Sequence, residues 1–267
     1  MRIATILLAS ALAAAGSAAV AHAGTNLVTN GGFEQTSPSV TTSTQFGTGK
    51  LNGFTASQFI TGWTGNNGYE LWFPSATAST TQDAYSEWGQ GSNSNTGVEK
   101  LWSGSAPTVT ASPDGGAFIG LDGDPTNGVS SSISQAISNL VSGSTYTVSF
   151  DWAGAQLQSR TGATTEQLAV SFGGSTQNTN VLNNASKGFT GWQTASFNFV
   201  ANAANETLSF LSIGTPTGYP PVALLDGVSV QKVAVPEPSS LALLGAGLVG
   251  LGLVIRRRRT ARKSDKV

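Results

Sequence analysis

The chain has 267 residues with a formal net charge of −1, only 10% charged side chains, no cysteine and a single histidine, His22. Without cysteine there is neither a disulfide nor a cysteine-ligated zinc site, and the lone histidine lies within the leading stretch, residues 1–23, that reads as a signal peptide and would leave with it. Ser-His-Asp and Cys-His catalysis, and histidine-ligated metal chemistry, are therefore excluded for a processed chain. In chain order the first element is a signal peptide over residues 1–23. Arg2 precedes an apolar stretch from Ile3 to about Ala15, and Ala21-His22-Ala23 forms a small-x-small cleavage site before Gly24.

Between Gly24 and Val235 five bases stand against twelve acidic residues, so this region carries −7 while the basic residues gather at the far end. An acidic domain is a poor partner for nucleic acid, which needs basic patches, and is compatible with divalent cations or neutral sugars. About 210 residues suit one large all-β domain.

The strongest predicted strand is Thr145 to Trp152, where Tyr146, Val148, Phe150 and Trp152 alternate with polar residues, so that one face is buried. Ser132 to Ile137, Leu168 to Phe172, Trp192 to Val200, Glu206 to Ile213 and Val222 to Val230 behave alike. Turn signals at Ser142-Gly143, Gly173-Gly174 and Lys187-Gly188 separate them. No amphipathic helix interrupts the series, which predicts an antiparallel β-sandwich over residues 24–234.

Tyr69, Glu70 and Trp72, then Tyr85, Glu87 and Trp88, then Glu99 and Trp102, mix aromatic planes with carboxylates. Sugar rings stack their C–H faces on aromatic planes while polar groups take the hydroxyls, and these residues are the candidate carbohydrate contacts, with a place in the core as the alternative for each. Glycoside hydrolysis needs only two suitably spaced carboxyl groups, but nothing in the sequence positions such a pair, so no enzyme is expected. A carbohydrate-binding protein and a surface or matrix spacer are the two classes left.

In the last strand Asp226 shares parity with Val222, Leu224, Val228 and Val230, which would bury its carboxylate. A nearby base, a cap of backbone amides, a bulge that turns the side chain outward or a metal ion would each compensate the cost. Asp122-Gly123-Asp124 opens like an EF-hand, but Pro125 and the Ile133 at position twelve break that pattern, leaving a polar turn.

Leu241 to Ile255 is apolar throughout and, extended to Ser239, gives a helix of about 25 Å, short for a hydrocarbon core of about 30 Å. Arg256, Arg257, Arg258 and Arg259 follow, which places the tail in the cytoplasm and the folded part outside. Pro236-Glu237-Pro238, a transmembrane helix over about 239–255 and the arginine block, in that order over residues 235–267, resemble the PEP-CTERM sorting signal. That resemblance implies processing by exosortase after signal peptidase, with a transient inner-membrane intermediate. The protein would then pass to the cell surface, outer membrane or exopolysaccharide matrix of a Gram-negative cell.

A second resemblance covers most of the exported region. Asn26 to Glu34, Gly62-Trp63, Tyr146 to Trp152 and Leu225 to Val230 look like the galactose-binding-like jelly roll of carbohydrate-binding modules. It implies a jelly-roll sandwich, extracellular polysaccharide as partner, and a structural calcium held by Glu34 and Asp226 with the carbonyl of Gly32. Residues from Gln35 to about Ala111 match least and are expected to carry long loops or an added hairpin.

Overall fold

The computed structural model describes residues 24–39, 44–46, 59–66, 68–76, 101–102, 109–124, 130–157, 161–217, 221–234, 245 and 247–252. The chain forms two compact units, one of residues 24–233 and one of residues 1–23 with 234–267.

The larger unit is all-β. Its strands are β1 (Thr44–Phe46), β2 (Thr64–Gly65), β3 (Glu70–Phe73), β4 (Phe118–Asp122), β5 (Ser132–Ile137) and β6 (Thr145–Gln156). They continue with β7 (Thr164–Phe172), β8 (Ser175–Asn178), β9 (Leu182–Asn184), β10 (Gln193–Val200), β11 (Glu206–Thr215) and β12 (Pro221–Lys232). One sheet runs β1-β3-β4-β12-β6-β10; the other runs β2-β5-β11-β7-β8, with β9 also on β7. The pairings are antiparallel, and the strand expected at Ser132 to Ile137 is found with those bounds.

Period-2 patterning explains the layering. Tyr146, Val148, Phe150 and Trp152 of β6 meet Leu168, Val170 and Phe172 of β7 and Leu208 and Phe210 of β11 in one core between the sheets. Phe150 lies edge-on to Phe210 at 5.0 Å. A second apolar layer covers the outer side of the first sheet: Leu71, Phe73, Phe118, Ala153, Ala155, Val222 and Leu224 pack under Leu101, Val109, Phe189 and Trp192. Central strands of that sheet are therefore buried on both faces, an arrangement more usual for parallel sheets. In the weakly matching region β1 pairs with β3, a short added ribbon at the sheet edge.

The register of β12 corrects the parity argument. Between Asp226 and Ser229 the pairing with β6 shifts, and Gly227 has a φ of 57°. This bulge moves the strand from one face to the other, so Val222 and Leu224 lie in the outer layer and Val228 and Val230 in the inner core.

In the smaller unit residues 245 and 247–252 are helical, with Leu248, Val249 and Leu251 exposed. Among the described residues no helix is long and apolar enough to cross a membrane. Most of the segment at 239–255, the signal peptide with Ala21 and Ala23, Pro236 to Pro238 and Arg256 to Arg259 lie outside the described residues.

Candidate ligand-binding sites

The two ends of the sandwich are fastened to each other. The amide of Leu27 donates to the Val230 carbonyl at 2.9 Å, the Val230 amide to Asn26 Oδ1 at 3.0 Å, and the Val228 amide to the Gly31 carbonyl at 3.1 Å. The approach is so close that a Cβ on Gly31 would overlap the Val228 carbonyl. Asn30 and Phe33 take up φ values of 54° and 58° to turn the chain here.

Under this clasp lies Asp226, which has no solvent exposure. Its carboxylate accepts the Ser112 hydroxyl and, at 2.8 Å, the Gly227 amide. Burial pushes it up to about 8 against those two bonds, and the charges that act on it, Asp114 and Glu34, are acidic and push the same way. The bulge proposed to turn Asp226 outward exists but leaves it inside, capped by one amide and one hydroxyl. A Cβ on Gly32 would lie 2.6 Å from Asp114 Oδ2 and 3.9 Å from Asp226 Oδ1, so the Gly32 backbone passes close to both acids. Glu34 instead accepts the Ala117 amide at 2.7 Å. Among the described residues no three acidic, histidine or cysteine side chains form a group that could hold a metal ion. Oxygen-only donors with excess negative charge nonetheless fit a hard cation in kind.

The aromatic and acidic residues do not form one surface. Trp72 is 4% exposed, its indole N–H donates to the Phe33 carbonyl at 2.8 Å, and it stands edge-on to Phe59 at 6.1 Å. Glu70 is fully buried beside it in β3. Neither can touch a glycan in this arrangement, because β3 is covered on both faces. Glu70 Oε1 accepts the Asn66 amide at 3.1 Å while Oε2 has no partner, and desolvation raises the group to about 8 in spite of the surrounding amides. Tyr69 and Trp102 keep partial exposure; the Lys187 ammonium sits 4.7 Å from the Trp102 ring centroid. Tyr85, Glu87, Trp88 and Glu99 lie outside the described residues.

A cleft that the sequence did not single out opens at the end of the second sheet. It holds about 400 Å³ and is lined by Thr164, Thr165, Asn183, Asn184, Thr215 and Pro216 among others. β9, β7 and β11 lie abreast there, pairing Asn183 with Thr165 and Thr165 with Thr215. The Thr165 and Thr215 hydroxyls are 2.6 Å apart. Behind the wall Glu166 is 1% exposed; its Oε1 accepts the Thr164 hydroxyl at 2.5 Å and its Oε2 has no partner. Burial lifts Glu166 to about 8, opposed by its bonds to Thr164 and Asn184. The signal was present: Glu166 shares parity with Leu168, Val170 and Phe172, the inward positions of β7.

These features define an antiparallel β-sandwich with polar recesses. The family described as a protein of unknown function, DUF642, matches residues 74–231, and the chain belongs to it. A PEP-CTERM protein-sorting motif matches residues 234–259. No curated protein matches the chain. Among solved structures, one described as "CBM4 structure and function" is 17% identical and covers 77% of this chain and 99% of its own, with a TM-score of 0.32. The CBM22-1 xylan-binding domain from Paenibacillus barcinonensis Xyn10C is 11% identical over 51% of this chain and 81% of its own, at 0.29. The C-terminal domain of EclA, described as a sugar-binding protein, is 16% identical over 36% of this chain; the chain spans 64% of its length, at a TM-score of 0.28. At such scores these likenesses carry no argument about ligand.

Proposed function

We propose that this is an exported protein, sorted through exosortase to the cell surface or extracellular matrix, where its jelly-roll domain binds carbohydrate and performs no chemistry. The match of the sorting motif to residues 234–259 carries the reading. Around it the finer steps follow from the sequence: signal peptidase cuts after Ala23, the segment at 239–255 holds the intermediate in the inner membrane with Arg256 to Arg259 inside, and exosortase acts near Pro236-Glu237-Pro238. Two features support carbohydrate as the partner. The domain carries −7, unsuited to polyanions, and the cleft beside β7 is lined by neutral amides and hydroxyls. A calcium ion, held by the Glu34 and Asp226 carboxylates with the Gly32 carbonyl, would neutralise the buried acid under the clasp and stabilise the joined chain ends.

Intact-mass measurement of the protein from its native host tests the route. The expected species lacks residues 1–23 and everything beyond the Pro-Glu-Pro region. A mature protein that keeps residues 239–267 overturns exosortase processing and leaves an ordinary anchored protein. Glycan arrays that include the host's own exopolysaccharide test the partner, and silence on every glycan leaves the spacer.

A further inference from the structure

We infer that the cleft at the joined ends of β7, β9 and β11 is a binding site for one uncharged sugar unit, with Asn183 and Thr215 as its direct contacts. This deepens the carbohydrate reading above and rests on it. The pairing of Asn184 with Thr164, Asn183 with Thr165 and Thr165 with Thr215 puts two polar tiers on adjacent residues of three strands. One tier, Asn183, Thr165 and Thr215, is open to solvent in whole or part; the other, Thr164 and Asn184, is 3% exposed at both positions. Alternation of side chains along each strand places the tiers on opposite sides of the sheet, so the cleft wraps around its end.

The chemistry of the wall selects the ligand. Amides and hydroxyls each offer both a donor and an acceptor, which is what a sugar hydroxyl requires, and among the described residues no ionisable side chain lines the cleft. Ala163, Ala185 and Pro216 add small apolar surface for the C–H faces of a ring. At about 400 Å³ the space falls in the usual range of small-molecule sites, about 300–1,000 Å³, at its smaller end. The buried tier is fixed from behind. Thr164 donates its hydroxyl to Glu166, and the Asn184 amide donates to the Gly188 carbonyl at 3.2 Å, so Glu166 is a positioning residue that never meets the ligand. A uronic acid would bring a carboxylate against a wall whose described residues offer no cation, and is disfavoured.

Saturation-transfer NMR and calorimetry on the full chain would use the methyl glycosides of glucose, galactose, mannose and N-acetylglucosamine, with glucuronate and galacturonate as charged counterparts. Binding of at least one neutral glycoside is expected, weakened about fivefold or more by Asn183→Ala and by Thr215→Val, both at exposed positions, with unchanged thermal melts. Equal affinity for the uronates overturns the class of ligand. Undiminished binding in both variants overturns the site while leaving carbohydrate recognition in place. Failure of the wild type with these probes and with every arrayed glycan sinks both readings together.

Discussion

Replacing Glu70 with glutamine should make the protein more stable, and by an amount that grows with pH. Glu70 lies fully buried, one carboxylate oxygen without a partner, and is raised from 4.5 to about 8. Because the folded-state value lies above the unfolded one, folding favours the neutral acid: its contribution is complete below pH 4.5 and is lost as pH rises through about 8. At about 1.4 kcal/mol per pH unit, the ionisable group costs the fold about 1 kcal/mol at pH 5, about 3 at pH 7 and about 5 at pH 9. Glutamine keeps the oxygen that accepts the Asn66 amide and resembles the protonated acid in shape, so the variant escapes this loss. Urea denaturation of both proteins at the three pH values measures the difference directly, and Glu166 and Asp226, raised in the same way, cancel in the subtraction. Glycan binding should not change, since the side chain has no exposed surface. A stability difference that stays constant from pH 5 to pH 9 would refute the assignment of Glu70 as a neutral buried acid.

The clasp between the chain ends predicts that Gly31→Ala destabilises the domain by about 3 kcal/mol, because the new Cβ meets the Val228 carbonyl, a backbone atom that cannot swing aside. Denaturant midpoints read this, and limited proteolysis should show early cuts in residues 24–34; an unchanged midpoint means the clasp is loose. Calcium at about a hundred times its dissociation constant should add about 2.7 kcal/mol, or roughly 5–10 °C in melting temperature for a domain of this size. The gain should vanish in chelator and in Asp226→Asn; a wild-type melt indifferent to calcium removes the ion from the proposal.

Where an element's periodicity is carried by its own residues, it was legible in the sequence. The alternation of Tyr146, Val148, Phe150 and Trp152 announces β6 and its buried face without outside help, and β5, β10, β11 and β12 follow from the same rule. A bulge hides from that count. Gly227 inserts one extra step, and every inference about side-chain direction beyond it reverses, which is why Val222 and Val230 are found on opposite faces. The burial of Asp226 survived because both faces are dry at that point. For Trp72 and Glu70 the core alternative holds, and its neighbours could not be read locally. Trp72 belongs to the core between the sheets, with Phe59 edge-on to its ring and the Phe33 carbonyl taking its indole N–H, and local composition holds no trace of those neighbours. The cleft at Thr165 and Thr215 depends on which strands become neighbours, and only Glu166, polar at an inward position, hinted that something lay there.

Gly24 sits against Lys232, a hypothetical Cβ on the first lying 3.1 Å from the carbonyl of the second. A domain whose entrance and exit adjoin can be spliced whole into a surface loop of a host protein, or closed into a ring and reopened at the Ser142-Gly143 turn, with every ladder intact. Evolution can shuffle such a unit as readily as an engineer, behind any leader and ahead of any tail, at little cost to its interior.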